Sequence, residues 1–506
     1  MPTAQATEVA SPVQADRPLH RRADIAVLSV VAILLRLPAY FAERHLTVDD
    51  GVFGASAVAM RAGGRPFAEV FSSQGPLFLP LLWLADLVGL RTVDAPRLLA
   101  VAAGVALTLA VYVVGRMVGD RTGALLAAGL TTVTASTLWV TGPLAADGPA
   151  LAFGAVAVAL ALAYRRAPSL ATAIWMGLSV GAALSVKSLL LPVAVPVAVV
   201  LLAGPSIRWL LAAAGSAAAF NGLVSLPWGL SKVWEQSYGY HLRAAGQKTP
   251  GANLAKVFRT MVDRDLPVLV MVGLALGMLV VTGLRRTRSP AGSARGDAPQ
   301  DPAPPDRAGP VAHLRRRLPT SDAALIGLWL AATVAVLAAE HPLWRPHVAH
   351  LVPPVALLIA RYRPPAAAIG AAALAVAPYH VHHTWPVLHP PPFRGSAAGV
   401  ERILGDLPPG ALAMSDDPGL VWRAGHRTPP GLVDASILRI QAGQITGVSL
   451  GSAAAQRSVC AVVIWDPQRW GSFRDLPGRL AAAGYTVVLR DRDGHTVYRR
   501  TACSPG

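Results

Sequence analysis

Charge is scarce in this 506-residue chain: Asp, Glu, Lys and Arg make up 14% of it, against about 25% in soluble domains. With 53% hydrophobic residues and a mean hydropathy of +0.46, that shortage excludes an ordinary soluble enzyme. Lysine is nearly missing; Lys187, Lys232, Lys248 and Lys256 are the four among 45 basic residues. The two cysteines, Cys460 and Cys503, give neither a disulfide framework nor metal-ligand spacing. There is no Gly-x-x-x-x-Gly-Lys-Ser/Thr and no strand-to-helix Gly-x-Gly-x-x-Gly, so the chain has no nucleotide cradle of its own. No internal repeat is visible.

What the chain does have is apolar blocks of about 15 to 20 residues, the length that crosses a hydrocarbon core of about 30 Å. The net charge of +17 resides mostly in the gaps between these blocks. Membrane orientation therefore accounts for it, and no nucleic-acid partner is needed. The sequence predicts a mainly α, polytopic membrane protein of about eleven transmembrane helices: residues 24–42, 97–116, 122–140, 150–164, 170–187, 188–204, 208–226, 265–284, 322–339, 346–360 and 364–379. The first resembles a cleaved signal at its end, but further spans follow, so it reads as an uncleaved helix behind a cytoplasmic tail at 1–23.

Arginine-bearing gaps on the cytoplasmic side put the C-terminus outside. Eight arginines among Pro, Ala, Gly and Asp at 285–318 read as a disordered cytoplasmic linker. Residues 76–90 are short and contain Pro80 and Asp86, so they are assigned to a re-entrant or interfacial helix. The loop 227–264, placed outside, carries six Lys/Arg and pulls against this parity. Beyond residue 380 the pattern becomes short and alternating, with strands at 411–415, 459–465, 485–489 and 495–499. This predicts an extracytoplasmic α/β domain over 380–506, where an oxidising environment would permit a Cys460–Cys503 disulfide.

Ionisable residues at membrane depth are costly and mark candidate sites. The path gathers them at the outer face: Asp49 and Asp50 after the first span, Asp147 between the third and fourth, Lys187 where the fifth and sixth meet, and Glu340 to His350 before the tenth. The acidic pair either caps the helix that follows it or supplies a carboxylate to deprotonate a hydroxyl; adjacent helical residues diverge by about 100°, so one of the two faces the reaction. Asp147 reads as a turn residue or an active-site acid. Lys187 either snorkels or neutralises a phosphate. Arg36 is a second phosphate candidate, with a helix-end role as its alternative. His341, Arg345, His347 and His350 are interfacial histidines and arginine by default and phosphate contacts by alternative, since their spacing does not match HExxH. Asp416-Asp417 reads as a turn before a helix and Asp491/Asp493 as a hairpin, neither pair catalytic.

The order of these motifs resembles the polytopic glycosyltransferases of the GT-C fold, especially the branch of protein O-mannosyltransferases and the lipid A aminoarabinose transferase. The resemblance runs over most of residues 24–380: Asp49-Asp50, then Arg61-Ala-Gly-Gly-Arg-Pro-Phe67, Gln74-Gly-Pro-Leu77, Asp147-Gly-Pro, Gly181 to Pro192 with Lys187, and His350-Leu-Val-Pro-Pro. It implies a polyprenyl-phosphate-linked sugar as donor, Asp49 as general base with Asp50 its neighbour, Asp147 as a second acid, and Lys187 on the donor phosphate. Two departures stand out: Asp-Asp replaces the usual Asp-Glu, and Gln74 stands where the aminoarabinose branch has lysine. The C-terminal part is similar to that of actinobacterial relatives, with acceptor handling its implied role.

Transfer from a lipid phosphate needs a base on the acceptor, a cation near the departing phosphate and a cavity open to the bilayer. The acceptor hydroxyl is expected on a glycan, lipid or protein. No metal is required by this chemistry, and a divalent ion is left open. The competing readings are a multi-pass transporter or lipid flippase, for which inverted repeats and broken helices at matching positions are not found, and a non-catalytic scaffold.

Overall fold

The computed structural model describes residues 18–239, 241–242, 250–288, 318–362 and 364–504. The predicted linker at 285–318, its ends apart, and most of the predicted tail at 1–23 lie outside the described residues.

Among the described residues, five helical stretches are long and apolar enough to cross a bilayer: His20–Tyr40, Ala95–Val118, Asp147–Arg166, Ile207–Trp228 and Asp322–Ala339. A sixth forms if Arg121–Val133 and Ala135–Thr141, bent by 63° at Thr134, count as one span. Of the other predicted segments, 364–379 falls in the continuous 23-residue helix Ala366–Leu388, whose histidines lower its hydropathy, and the rest are helical but shorter or interrupted. Leu170–Val186 has 17 residues, and 188–204 divides into the 3-10 turn Ser188–Val193, which holds Pro192, and the helix Ala194–Ala203. Residues 346–360 likewise divide into Arg345–Leu351 and Val352–Arg361, with Pro353 at the junction. Residues 265–284 belong to Pro250–Arg288, which loses helical geometry at Asp265, two residues before Pro267. Proline's missing N–H explains such breaks, which apolar length alone does not reveal.

Residues 76–90 form the helix Phe78–Val88 of 11 residues. At 1.5 Å per residue it is about 16 Å long, half a bilayer core. Its Asp86 is buried and receives Arg61 through Nη2 at 2.5 Å and Nε at 3.2 Å.

The centre of the bundle is Asp147–Arg166, packed between Leu98–Val118 and Leu170–Val186, the latter covered in turn by Ile207–Ser225. Leu151, Ala155, Val158 and Leu162 recur at helical spacing and are at most 1% exposed, the stripe that holds it there. Large apolar side chains such as Trp175, Leu211 and Leu223 are exposed instead, as on a surface whose solvent is lipid.

Among the described residues the four strands lie in the C-terminal part, in the order β1-β2-β4-β3: β1 (Leu412–Ser415), β2 (Val459–Ile464), β3 (Tyr485–Arg490) and β4 (Thr496–Arg500). β1 runs parallel to β2, and β4 is antiparallel to both β2 and β3. The central β2 is buried at every residue, which suits its uninterrupted Val-Cys-Ala-Val-Val-Ile run. Cys460 on β2 is disulfide-bonded to Cys503, with a Cα–Cα distance of 5.4 Å.

Candidate active site

Thr47 starts the helix Val48–Arg61 by accepting a hydrogen bond from the Asp50 amide. The adjacent carboxylates then part. Asp50 is fully buried and accepts from Arg97 at 2.6 Å (Nη2–Oδ2) and 3.2 Å (Nε–Oδ1), from the Leu46 amide at 2.9 Å and from the Leu144 amide at 3.0 Å. Burial pushes its pKa up, but the Arg97 charge and these hydrogen bonds prevail and hold it below the ordinary value. Arg97 is itself buried and donates onward to the carbonyls of Ala42 and Arg44. Asp50 thus fastens the loop before its helix to the loop that leads into Asp147.

Asp49 has a different environment. Its side chain is half-buried, and among the described residues its carboxylate has no hydrogen bond or ion pair. Burial raises its pKa; Lys187 works against that shift, while Asp147 reinforces it. A carboxylate with an elevated pKa and unoccupied lone pairs has the character of a general base.

Near it runs a chain of buried polar groups. Lys187 sits in extended backbone between Leu170–Val186 and Ser188–Val193, so the helix ends just where its side chain leaves. Its ammonium lies 2.8 Å from Asp147 Oδ2 and 3.0 Å from His347 Nε2. Lysine can only donate, so His347 Nε2 is the acceptor and the ring proton is on Nδ1, 2.6 Å from Glu340 Oε1. On the other side His350 Nε2 donates to Asp147 Oδ1 at 2.8 Å. Asp147, fully buried at the first position of its helix, therefore holds both Lys187 and His350. Two of the three ammonium protons are engaged in this chain, and among the described residues the third has no acceptor.

The Gln74-Gly75-Pro76-Leu77 motif supports the lysine from behind. The amides of Gly75 and Leu77 donate to the carbonyls of Val186 and Ser185 at 3.0 and 2.8 Å, satisfying the helix end before Lys187. A Cβ at residue 75 would fall 2.3 Å from the Ser185 oxygen, so glycine is required.

The C-terminal part reaches the same region. Asp434 accepts from Ser73 Oγ at 3.3 Å and contributes to the field at Asp49. His241 Nε2 lies 3.1 Å from the Ser73 carbonyl. The short helix Pro418–Arg423 lies directly on Val48–Arg61, where a Cβ on Gly54 would penetrate the Trp422 indole. His45 Nε2 meets Asp417 Oδ2 at 2.9 Å, and Arg423 meets Asp94 at 2.7 Å. Sequence reasoning did not find Arg97, Ser73, His241 or Asp434 as members of this region. A buried arginine beside an acid leaves no local pattern, and the Ser73–Asp434 contact spans 361 residues.

The remaining candidates lie elsewhere. Arg36 is buried, with Nε donating to Thr141 Oγ1 at 3.0 Å and Nη1 to the Ala32 carbonyl at 2.8 Å; it contacts none of Asp49, Asp147, Lys187, His347 or His350. Asp417 caps Pro418–Arg423, and Asp416 accepts from the amides of Trp465 and Asp466. Among the described residues, Asp491, Asp493 and His495 are close enough together to share a cation, but Asp491 is already engaged by the amides of Asp493 and His495.

The sequence matches no protein-family model and no curated protein sequence. Solved structures do match. ArnT from Cupriavidus metallidurans in the apo state aligns with a TM-score of 0.60 at 13% identity, covering 97% of this chain and 99% of that one. The same protein bound to undecaprenyl phosphate gives 0.59 at 13% identity, over 96% and 99%. Archaeal oligosaccharyltransferase AglB from Archaeoglobus fulgidus, in complex with an inhibitory peptide and a dolichol-phosphate, gives 0.50 at 12% identity, over 96% of this chain and 74% of that one. The chain has the GT-C fold of a polytopic membrane protein.

Proposed function

We propose, from that fold and the polar chain within it, that the protein is a membrane glycosyltransferase. It moves a sugar from a polyprenyl-phosphate-linked donor to an acceptor hydroxyl at the outer face of the plasma membrane. The observation that carries this reading is a free, elevated-pKa carboxylate at Asp49 in the field of an ammonium, Lys187, that keeps one N–H unspent. The lipid-phosphate complexes of ArnT and AglB support the donor class. The Cys460–Cys503 disulfide supports an oxidising compartment for the C-terminal part.

Asp49 takes the proton of the acceptor hydroxyl as its oxygen forms the new bond to the anomeric carbon. The bond from that carbon to the phosphate oxygen breaks, and its electron pair leaves with the polyprenyl phosphate. Attack opposite the phosphate inverts the anomeric centre. Lys187 stabilises the departing oxygen, where a compact cation in a low-dielectric site has its largest effect. Asp147, His347 and His350 position that ammonium, and Asp50 with Arg97 positions the helix that carries the base. Arg36 has a packing role in this scheme.

A panel of labelled polyprenyl-phosphate sugars offered to membranes containing the protein will give label transfer from one donor; transfer from none, with folded protein and varied acceptors, would overturn the reading. Lys187→Ala will raise the KM for that donor by about tenfold or more, the loss of one charge-assisted contact. It will leave the acceptor KM nearly unchanged. An equal effect on both substrates would argue against the phosphate role.

A further inference from the structure

Just ahead of the acidic helix, the loop holding Arg44 and His45 faces the C-terminal part across a cavity of about 300 Å³, whose lining includes Phe393, Arg394, Asp417 and Trp465. We propose that this cavity is an acceptor subsite. It holds a neutral pyranose ring of a glycan acceptor while a hydroxyl farther along the same glycan reaches Asp49. The inference rests on the transferase reading and narrows its acceptor to a saccharide.

Size is the first argument. A cavity at the small end of ligand sites accommodates one or two sugar rings and no lipid chain of length. The second is the lining. Phe393 and Trp465 supply apolar surface for the C–H faces of a sugar, and Trp465 is fixed by His495 stacked at 3.7 Å with the planes 5° apart. Asp417 uses one lone pair of Oδ2 on His45 Nε2 and one of Oδ1 on the Gly419 amide, so both oxygens keep capacity to accept. The side chains of His45 and Asp417 each remain 11% open. Arg394 is exposed and has no partner among the described residues. Among the described residues Arg44 spends only Nε, on the His45 carbonyl, and lies over the Phe393 ring at 5.8 Å.

Free donors and a carboxylate with acceptor capacity left on both oxygens, beside aromatic surface, match hydroxyl groups, which donate and accept in turn. Location is the third argument. His45 and Asp49 are four residues apart, so their Cα atoms are within about 14 Å of one another. A short run of sugar units bridges that span, and binding of its non-reacting rings would orient the reacting hydroxyl.

The test uses the full-length protein in lipid nanodiscs and saturation-transfer NMR with mannobiose and maltose as probes, without any donor. At least one disaccharide will receive saturation, and Arg394→Ala, an exposed position that leaves the fold intact, will weaken its binding about tenfold. Excess inorganic phosphate will not displace it. Asp49→Asn will bind the disaccharide as wild type does, so binding at the cavity is read independently of whether Asp49 is the base. Saturation of neither disaccharide, binding unchanged in both Arg394→Ala and Phe393→Ala, or displacement by phosphate would each overturn the proposal.

Discussion

Asp49→Asn will abolish sugar transfer, with a loss of about 10²-fold to 10⁴-fold in kcat/KM, while expression and thermal unfolding stay those of wild type. The fold survives because the Asp49 carboxylate satisfies no amide and no cation among the described residues, so the amide that replaces it leaves nothing buried and unpaired. The chemistry fails because an amide cannot take the proton. Acidification of the wild type gives the same loss reversibly. A base acts when deprotonated, and burial raises the Asp49 pKa, so activity falls as pH drops through a value above the ordinary carboxylate range of about 4. Lys187 opposes that rise, so Lys187→Met will move the acid limb to still higher pH. Full activity in purified Asp49→Asn, or an acid limb below pH 4, would remove Asp49 from the mechanism.

Arg97→Met will have the opposite signature: loss of folded protein first and of activity only as a result. It leaves Asp50 as a charge with no cation inside a fully buried site, and breaking such a pair costs about 3–5 kcal/mol. That is a large share of a typical total of about 5–15 kcal/mol. Unfolding in detergent is read as a midpoint at fixed scan rate, since such proteins seldom refold on cooling. Asp50→Asn combined with Arg97→Met will recover part of the lost stability, because the stranded charge is gone. A midpoint for Arg97→Met equal to that of wild type would mean that Asp50 does not fasten the loops as described.

These two variants also show where sequence reading stops. Asp49 and Asp50 share one motif, and no local feature separates them. Their separation is made by Arg97, 47 residues away, and by the Leu144 amide, 94 residues away. Lys187 was legible because a lysine in an apolar stretch of an arginine-rich chain is conspicuous, and Asp147 because its loop carries no other charge. What could not be read is that the two bond to each other, a pairing across 40 residues. Arg36, a basic residue near the end of an apolar stretch, was a second phosphate candidate with a helix-end role as its alternative; Thr141, 105 residues on, occupies its Nε. Apolar length located the helices but not their interruptions: Pro192 lies inside a wholly apolar run, and Pro267 and Pro353 lie within or at the edge of segments that length alone reads as continuous. The strands were legible from alternation, whereas the crossing of β4 between β2 and β3 depends on pairing that alternation does not specify.

The seating of Trp422 on Gly54 bears on how the protein is made. Residues 417–423 are synthesised long after the helix Val48–Arg61, with nearly all the apolar helices in between. Until they arrive, that helix lacks the Asp417 partner of His45, 372 residues away, and the cover over its glycine face. Closing so distant a contact is slow compared with local helix formation. A nascent chain therefore carries its acidic pair before the helix that presents it is seated, and a chain that stops short of residue 417 leaves that helix without its cover.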